Sequence, residues 1–175
     1  SYMFAKTMLQ DDKDITLGLV VNAKGGTRID QWKKGMEKYN PKEPFYVEAV
    51  RRTKIAMKTG TLKGIIWHQG EANRKDPKYI EKISTFIANL REDLGTPDVP
   101  FIAGQINMAQ EQPINTLILT LPEAVPHTGV VLADGLVAMD NWHFDRKSMI
   151  ELGTRYGKEM LKVQNNARIT TNATQ

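Results

Sequence analysis

Cysteine is absent from this 175-residue chain. That excludes disulfides, a thiolate nucleophile and cysteine-bound zinc. Serine is scarce. Ser1, Ser84 and Ser148 are the whole supply, and none lies in a nucleophile context. Ser84 falls inside an amphipathic helical pattern, and Ser148 falls at the start of the last one. No apolar run approaches the roughly 20 residues that a membrane helix needs, so no membrane span is expected. From Ser1 onwards, no basic segment leads into an apolar run of signal-peptide type. The net charge is +4, with lysine and arginine dense between Lys24 and Lys63. A nucleic-acid surface would require basic residues interleaved with exposed aromatics, or a known module. Neither is evident, so the basic stretch reads as a solvated helix face.

What is present alternates between strand and helix patterns, which argues for an α/β layered fold with a parallel sheet. Ile15–Val21 is a β-branched apolar run and reads as a strand. It ends in Asn22-Ala23-Lys24-Gly25-Gly26-Thr27, a loop able to take positive φ. Pro44–Thr59 has the spacing of an amphipathic helix, stopped by Gly60. Leu62–Trp67 is the next strand. Asp76-Pro77 opens a helix that carries Tyr79, Ile80, Ile83, Phe86, Ile87 and Leu90 to Gly95. Pro100–Ile106 is another strand, Glu111–Leu121 is helical in part, and Thr128–Ala133 is the last strand. Asp145–Val163 reads as a final helix with Ile150, Leu152, Tyr156, Met160 and Leu161 inward. Residues 1–163 form one expected domain, followed by a polar, frayed tail over 164–175.

In parallel α/β sheets, functional loops gather at the carboxyl ends of the strands. Three loops fall there: Ala23–Thr27, His68–Asn73, and the stretch from Asp134 to Phe144. Asp140 stands three residues ahead of His143, so its carboxylate can fold back onto the imidazole and fix its tautomer. The same pattern also describes an N-capping aspartate beside a surface histidine. Gly25-Gly26 can turn a backbone N–H toward a developing oxyanion, or can simply make a turn. The Gln69 amide can donate to an oxyanion as well. His68 and Glu71 suit zinc by ligand type, though a core histidine bonded to a glutamate explains that pair more simply. With His143 and Asp140 they would form the ligands of a metal-dependent hydrolase, a third reading beside ester hydrolysis and plain binding.

Three segments carry a resemblance. They are Ala23-Lys24-Gly25-Gly26-Thr27-Arg28-Ile29-Asp30-Gln31-Trp32, Gly64-Ile65-Ile66-Trp67-His68-Gln69-Gly70-Glu71, and Asp140-Asn141-Trp142-His143-Phe144-Asp145. In order and spacing the chain resembles the SGNH hydrolase superfamily, specifically the sialate O-acetylesterase/acetylxylan esterase-like branch (carbohydrate esterase family 6). The resemblance implies a three-layer α/β/α fold with a flavodoxin-like parallel sheet. It implies an acetylated carbohydrate as substrate, no metal or other cofactor, and a secreted or periplasmic setting. His143 would be the general base and Asp140 its orienting partner. The Gly25 or Gly26 N–H and the Gln69 amide would be oxyanion donors. His68 and Glu71 would shape the loop or contact sugar. Arg28 would be a substrate contact, unless it makes a surface salt bridge.

One departure stands out. The family carries its nucleophile in a Gly-Gln-Ser-Asn-Met-like motif after a first strand that is central in the 2-1-3-4-5 sheet. No such serine is present. Gly104-Gln105-Ile106-Asn107-Met108 has isoleucine in the serine's place and follows what corresponds to the fourth strand, so the likeness reads as chance. The expectation is that this chain is a C-terminal portion, with the first strand and the nucleophile supplied by another segment of the same protein. The alternative is a catalytically inactive carbohydrate-binding homologue.

Overall fold

A computed structural model describes residues 1–11, 14–107 and 112–172. Three parallel strands, β1 (Ile65–Trp67), β2 (Phe101–Gly104) and β3 (Thr128–Val131), make one sheet in the order β1-β2-β3. Ile65 pairs with Phe101 and Trp67 with Ala103 across the first ladder, and Phe101 pairs with Thr128 across the second. Every connection is a crossover, so the three carboxyl ends share one rim.

The helices are α1 (Tyr2–Asp11), α2 (Phe45–Ala56), α3 (Tyr79–Leu94), α4 (Pro113–Leu119), α5 (Leu121–Ala124) and α6 (Arg146–Asn172). β2 is buried on both faces, and its alternation divides the core in two. Phe101 and Ala103 pack with Trp67, Tyr79, Ile83, Phe86 and Ile87 against α2–α5. Ile102 packs with Val131, Leu152, Tyr156 and Met160 against α1 and α6. The result is a three-layer α/β/α fold, and the strand order matches the 3-4-5 side of a flavodoxin-like sheet.

α3 shows why the sequence folds this way locally. Tyr79, Ile83, Phe86, Ile87, Leu90 and Leu94 recur at helical spacing and are all buried. The helix closes where the Gly95 N–H reaches Glu92 O and the Thr96 N–H reaches Arg91 O, which satisfies two carbonyls of the last turn.

The structure adds to these expectations and departs from some of them. Ile15–Val21 is not a strand. Only Leu17 of this run packs on the core, while Ile15, Leu19, Val20 and Val21 are exposed, and no described strand lies beside it to complete a ladder. α6 runs to Asn172 rather than fraying at Gln164, and Ile150 on that helix is exposed. α1 and the 3₁₀ turns over Ile29–Trp32, Met36–Lys38 and Glu71–Asn73 were not foreseen. The helix placed at Glu111–Leu121 is realised as α4 and α5, with Glu111 outside the described residues, as is Met108.

Candidate active site

The loop from Val137 to Asp145 is a narrow hairpin. Met139 N–H donates to His143 O, Asp145 N–H donates to Val137 O, and Ala138 bridges Phe144. At its tip, Asp140 Oδ1 accepts the backbone N–H groups of Trp142 and His143 at 2.7 and 2.8 Å. Its Oδ2 lies 2.8 Å from His143 Nδ1. Asp140 therefore both turns the chain and holds the imidazole. These bonds keep its carboxyl ionised down to a pKa of about 2, chiefly through His143. The His143 pKa is raised, first by the hydrogen bond to Asp140 and then by its charge, with a smaller push from Glu71. The ring is 68% exposed, which leaves its Nε2 edge open to a reacting group.

Asn107, just past β2, anchors this hairpin from below. Its Nδ2 donates to Asp140 O at 2.9 Å and to His143 O at 3.0 Å. Gln105 and Ile106 are buried there too. Gln105 Oε1 accepts the Ala133 N–H, and Ile106 N–H and O both bond the Asn115 amide. The Gly104–Asn107 segment thus fixes the loops around it and offers no attacking oxygen.

The second loop follows β1. Tyr156 Oη donates to Trp67 O at 2.7 Å, so the 3.2 Å contact with His68 Nδ1 has His68 as donor, and the proton sits on Nδ1. His68 keeps an exposed face, yet its ring packs near Phe144 and Tyr156. The desolvation there holds its pKa below the usual imidazole value and outweighs the opposing pull of Glu71. Gly104 makes room for this contact. A Cβ at that position would collide with the Tyr156 hydroxyl and sit 3.1 Å from His68 Nδ1.

Gln69 is drawn into the bonding between the loops. Its two amide hydrogens go to Thr27 O (3.0 Å) and Asn73 Oδ1 (2.9 Å), and its Oε1 accepts from Tyr79 Oη at 2.9 Å. Flipping the amide would set oxygen against two acceptors, so this orientation is fixed. Gln69 is a brace across 42 residues of sequence, and as placed it has no hydrogen left for an oxyanion. Buried Asn73 is the hub of the same network. Its Oδ1 also accepts the Ile29 N–H, and its Nδ2 donates to Asp76. Gly25 and Gly26 form an exposed turn with φ +72° at Gly26, pinned from beneath by Thr27, whose Oγ1 accepts from Trp32 Nε1.

Arg28 is also spent structurally. It donates to Ala72 O and lies 3.6 and 3.7 Å from Asp30 and Asp76, a salt bridge rather than an open contact. Glu71 turns its carboxylate back to the Gly70 N–H at 3.1 Å. The two loops meet. His68 and Phe144 rings are 6.1 Å apart, and the Arg74 guanidinium stacks 5.3 Å from the Trp142 ring centre.

No serine stands in this constellation. Ser84 Oγ donates back to Ile80 O within α3, and Ser148 Oγ is occupied by the Val137 N–H. Among the described residues, no group of three His, Asp or Glu side chains could hold a metal ion.

A family model described as carbohydrate esterase, sialic acid-specific acetylesterase, matches residues 1–162. The chain belongs to that family. A probable carbohydrate esterase of Arabidopsis thaliana is 31% identical over 161 residues, covering 85% of this chain and 56% of the relative. The chain thus spans little more than half the length of that carbohydrate esterase. An X-ray structure of an Arabidopsis thaliana protein superposes with a TM-score of 0.78 at 27% identity, over 91% of this chain and 66% of that one. A carbohydrate acetylesterase from Xanthomonas citri gives a TM-score of 0.73 at 21% identity, over 94% and 41%, and shares the fold. Asn73, Asn107, Tyr79 and Tyr156 organise these loops, and spacing along the sequence does not single them out for that work. Asn107 does carry a signal, the Gly104–Met108 likeness to the family's nucleophile motif. The two tyrosines read simply as core.

Proposed function

We propose that this chain is the base-bearing portion of a carbohydrate O-acetyl esterase acting by a Ser-His-Asp mechanism. The supporting observation is the 2.8 Å Asp140–His143 contact at the open tip of a braced loop. His143 Nε2 takes the proton from a serine hydroxyl as its oxygen bonds to the acetyl carbon. The imidazolium then returns that proton to the departing sugar oxygen, and water, activated the same way, releases acetate. Asp140 stabilises the imidazolium throughout. The Gly25 or Gly26 N–H receives the oxyanion, with Gln69 holding that turn in position.

The serine comes from a segment beyond these residues. Among the described residues β1 pairs only with β2, and the apolar run Ile15–Val21 joins no strand. One parallel strand laid along β1 would pair both, and its carboxyl end would deliver the serine to the rim that carries His143. The absence of a serine beside His143 also favours a second reading, an inactive carbohydrate-binding homologue. The test is acetate release from acetylated xylosides and O-acetylated sialosides by a polypeptide carrying this chain behind its upstream segment. His143→Ala should cost several orders of magnitude in kcat. Equal turnover by wild type and variant would remove the assignment, and sugar binding without hydrolysis in wild type would favour the second reading.

A further inference from the structure

Resting on the esterase reading, we infer that Arg74, stacked on Trp142, is a specificity-determining residue that reads a carboxylate on the sugar. Most of the other arginines near the site and along the helices are already committed. Arg28, Arg51, Arg52 and Arg155 pair with carboxylates, and Arg91 is closed around the carbonyls of Val99, Pro126 and His127. Arg74 differs. Among the described residues its guanidinium meets no carboxylate, and the one hydrogen bond of that group is a long 3.4 Å contact from Nη1 to Glu71 O. Its guanidinium lies 5.3 Å from the Trp142 ring centre on a half-buried side chain, and among the described residues its Nε and Nη2 meet no acceptor. That fork matches a carboxylate with two parallel hydrogen bonds.

Its position suits the reaction. Trp142 adjoins His143 in the hairpin, and Arg74 follows the His68–Asn73 loop that meets that hairpin, so the guanidinium and the proposed base belong to the same pair of loops. Glu71 and Asp140 are the nearby negative charges. Asp140 is engaged with His143 and Glu71 is turned to Gly70, so neither occupies the Arg74 fork. Trp142 is 39% exposed and offers an apolar surface to the C–H groups of a ring.

Two sources of the same chemistry are separable: a sialic acid and a uronic acid. The experiment is fluorescence titration of the 175-residue chain with methyl glycosides of N-acetylneuraminate, glucuronate and xylose. Trp32 and Trp67 are buried, so quenching reports Trp142. Tighter binding of one or both acids than of the xyloside is expected, and the tighter acid identifies the source. Arg74→Ala should weaken the acid by roughly tenfold to a hundredfold and leave the xyloside unchanged. Arg74→Lys keeps the charge without the planar fork and should lose most of the preference, with the melting temperature confirming that both variants fold. Equal affinity for acid and xyloside, or equal loss for both on substitution, overturns the inference and leaves Arg74 as a loop brace. Binding is read without turnover, so a failure of the esterase assignment shows separately as absent acetate release.

Discussion

At the scale of single residues, the proposed base is an imidazole held by one carboxylate, on a loop tethered by one amide. His143 must be neutral to accept a proton, and its raised pKa keeps it protonated to higher pH. The acid limb of kcat/KM should therefore lie above the ordinary imidazole value of about 6.5, with Asp140 ionised across it. Asp140→Asn should move that limb downward and lower kcat by about 10⁴-fold. A pH–rate profile of the active polypeptide decides this, and an unmoved limb would separate the two residues functionally. Asn107→Ala removes two donors from the hairpin carrying the dyad. It should cost about 1–3 kcal/mol of stability and reduce kcat by up to about 10²-fold through misplacement of the base, read by denaturant unfolding and steady-state kinetics. The Asp140–His143 contact was legible in the sequence because Asp and His three apart is a local pattern. The roles of Gln69 and Arg28 were not. Whether an amide or a guanidinium has a free donor depends on partners 42 and 44 residues away, and spacing along the chain does not carry that information.

At the scale of elements, helices were read more securely than strands. α2 and α3 announce themselves through periodicity, and α3 also through its glycine stop. Ile15–Val21 has the composition of a strand, but a strand exists only through a neighbour. α1 escaped notice because ten residues with modest amphipathic contrast say little until the surface they cover is known. That surface is α6, and the two helices approach closely over Gly153 and Gly157. A Cβ at Gly157 would stand 2.6 Å from Thr7 Cβ and 3.3 Å from Phe4 O. Gly157→Ala should gain about 1 kcal/mol in helix propensity but lose about 1–3 kcal/mol to overpacking. The second effect should win or at least erase the first. Chemical denaturation measures the balance, and clear stabilisation would mean that α1 yields at little cost.

At the scale of the whole molecule, the fold class followed from alternation alone, and the three-stranded parallel sheet with helices on both faces agrees with it. The proposal of a further strand along β1 belongs here. In this chain, backbone amides from Thr16 to Val20 should exchange with solvent freely. Supplying the upstream segment should protect both them and the outer amides of β1, measured by hydrogen exchange with mass spectrometry. Unchanged exchange would show that the added segment lies elsewhere. The opposite rim has its own consequence. There, Arg91 clamps the entries to β2 and β3 by gripping Val99, Pro126 and His127. The entry to β1, around Thr59-Gly60-Thr61, is exposed and carries none of the chemistry. That turn is the natural splice point for an affinity tag, a fluorophore or a fused partner, since cargo placed there hangs from the far end of the sheet and leaves the rim that carries His143 unobstructed.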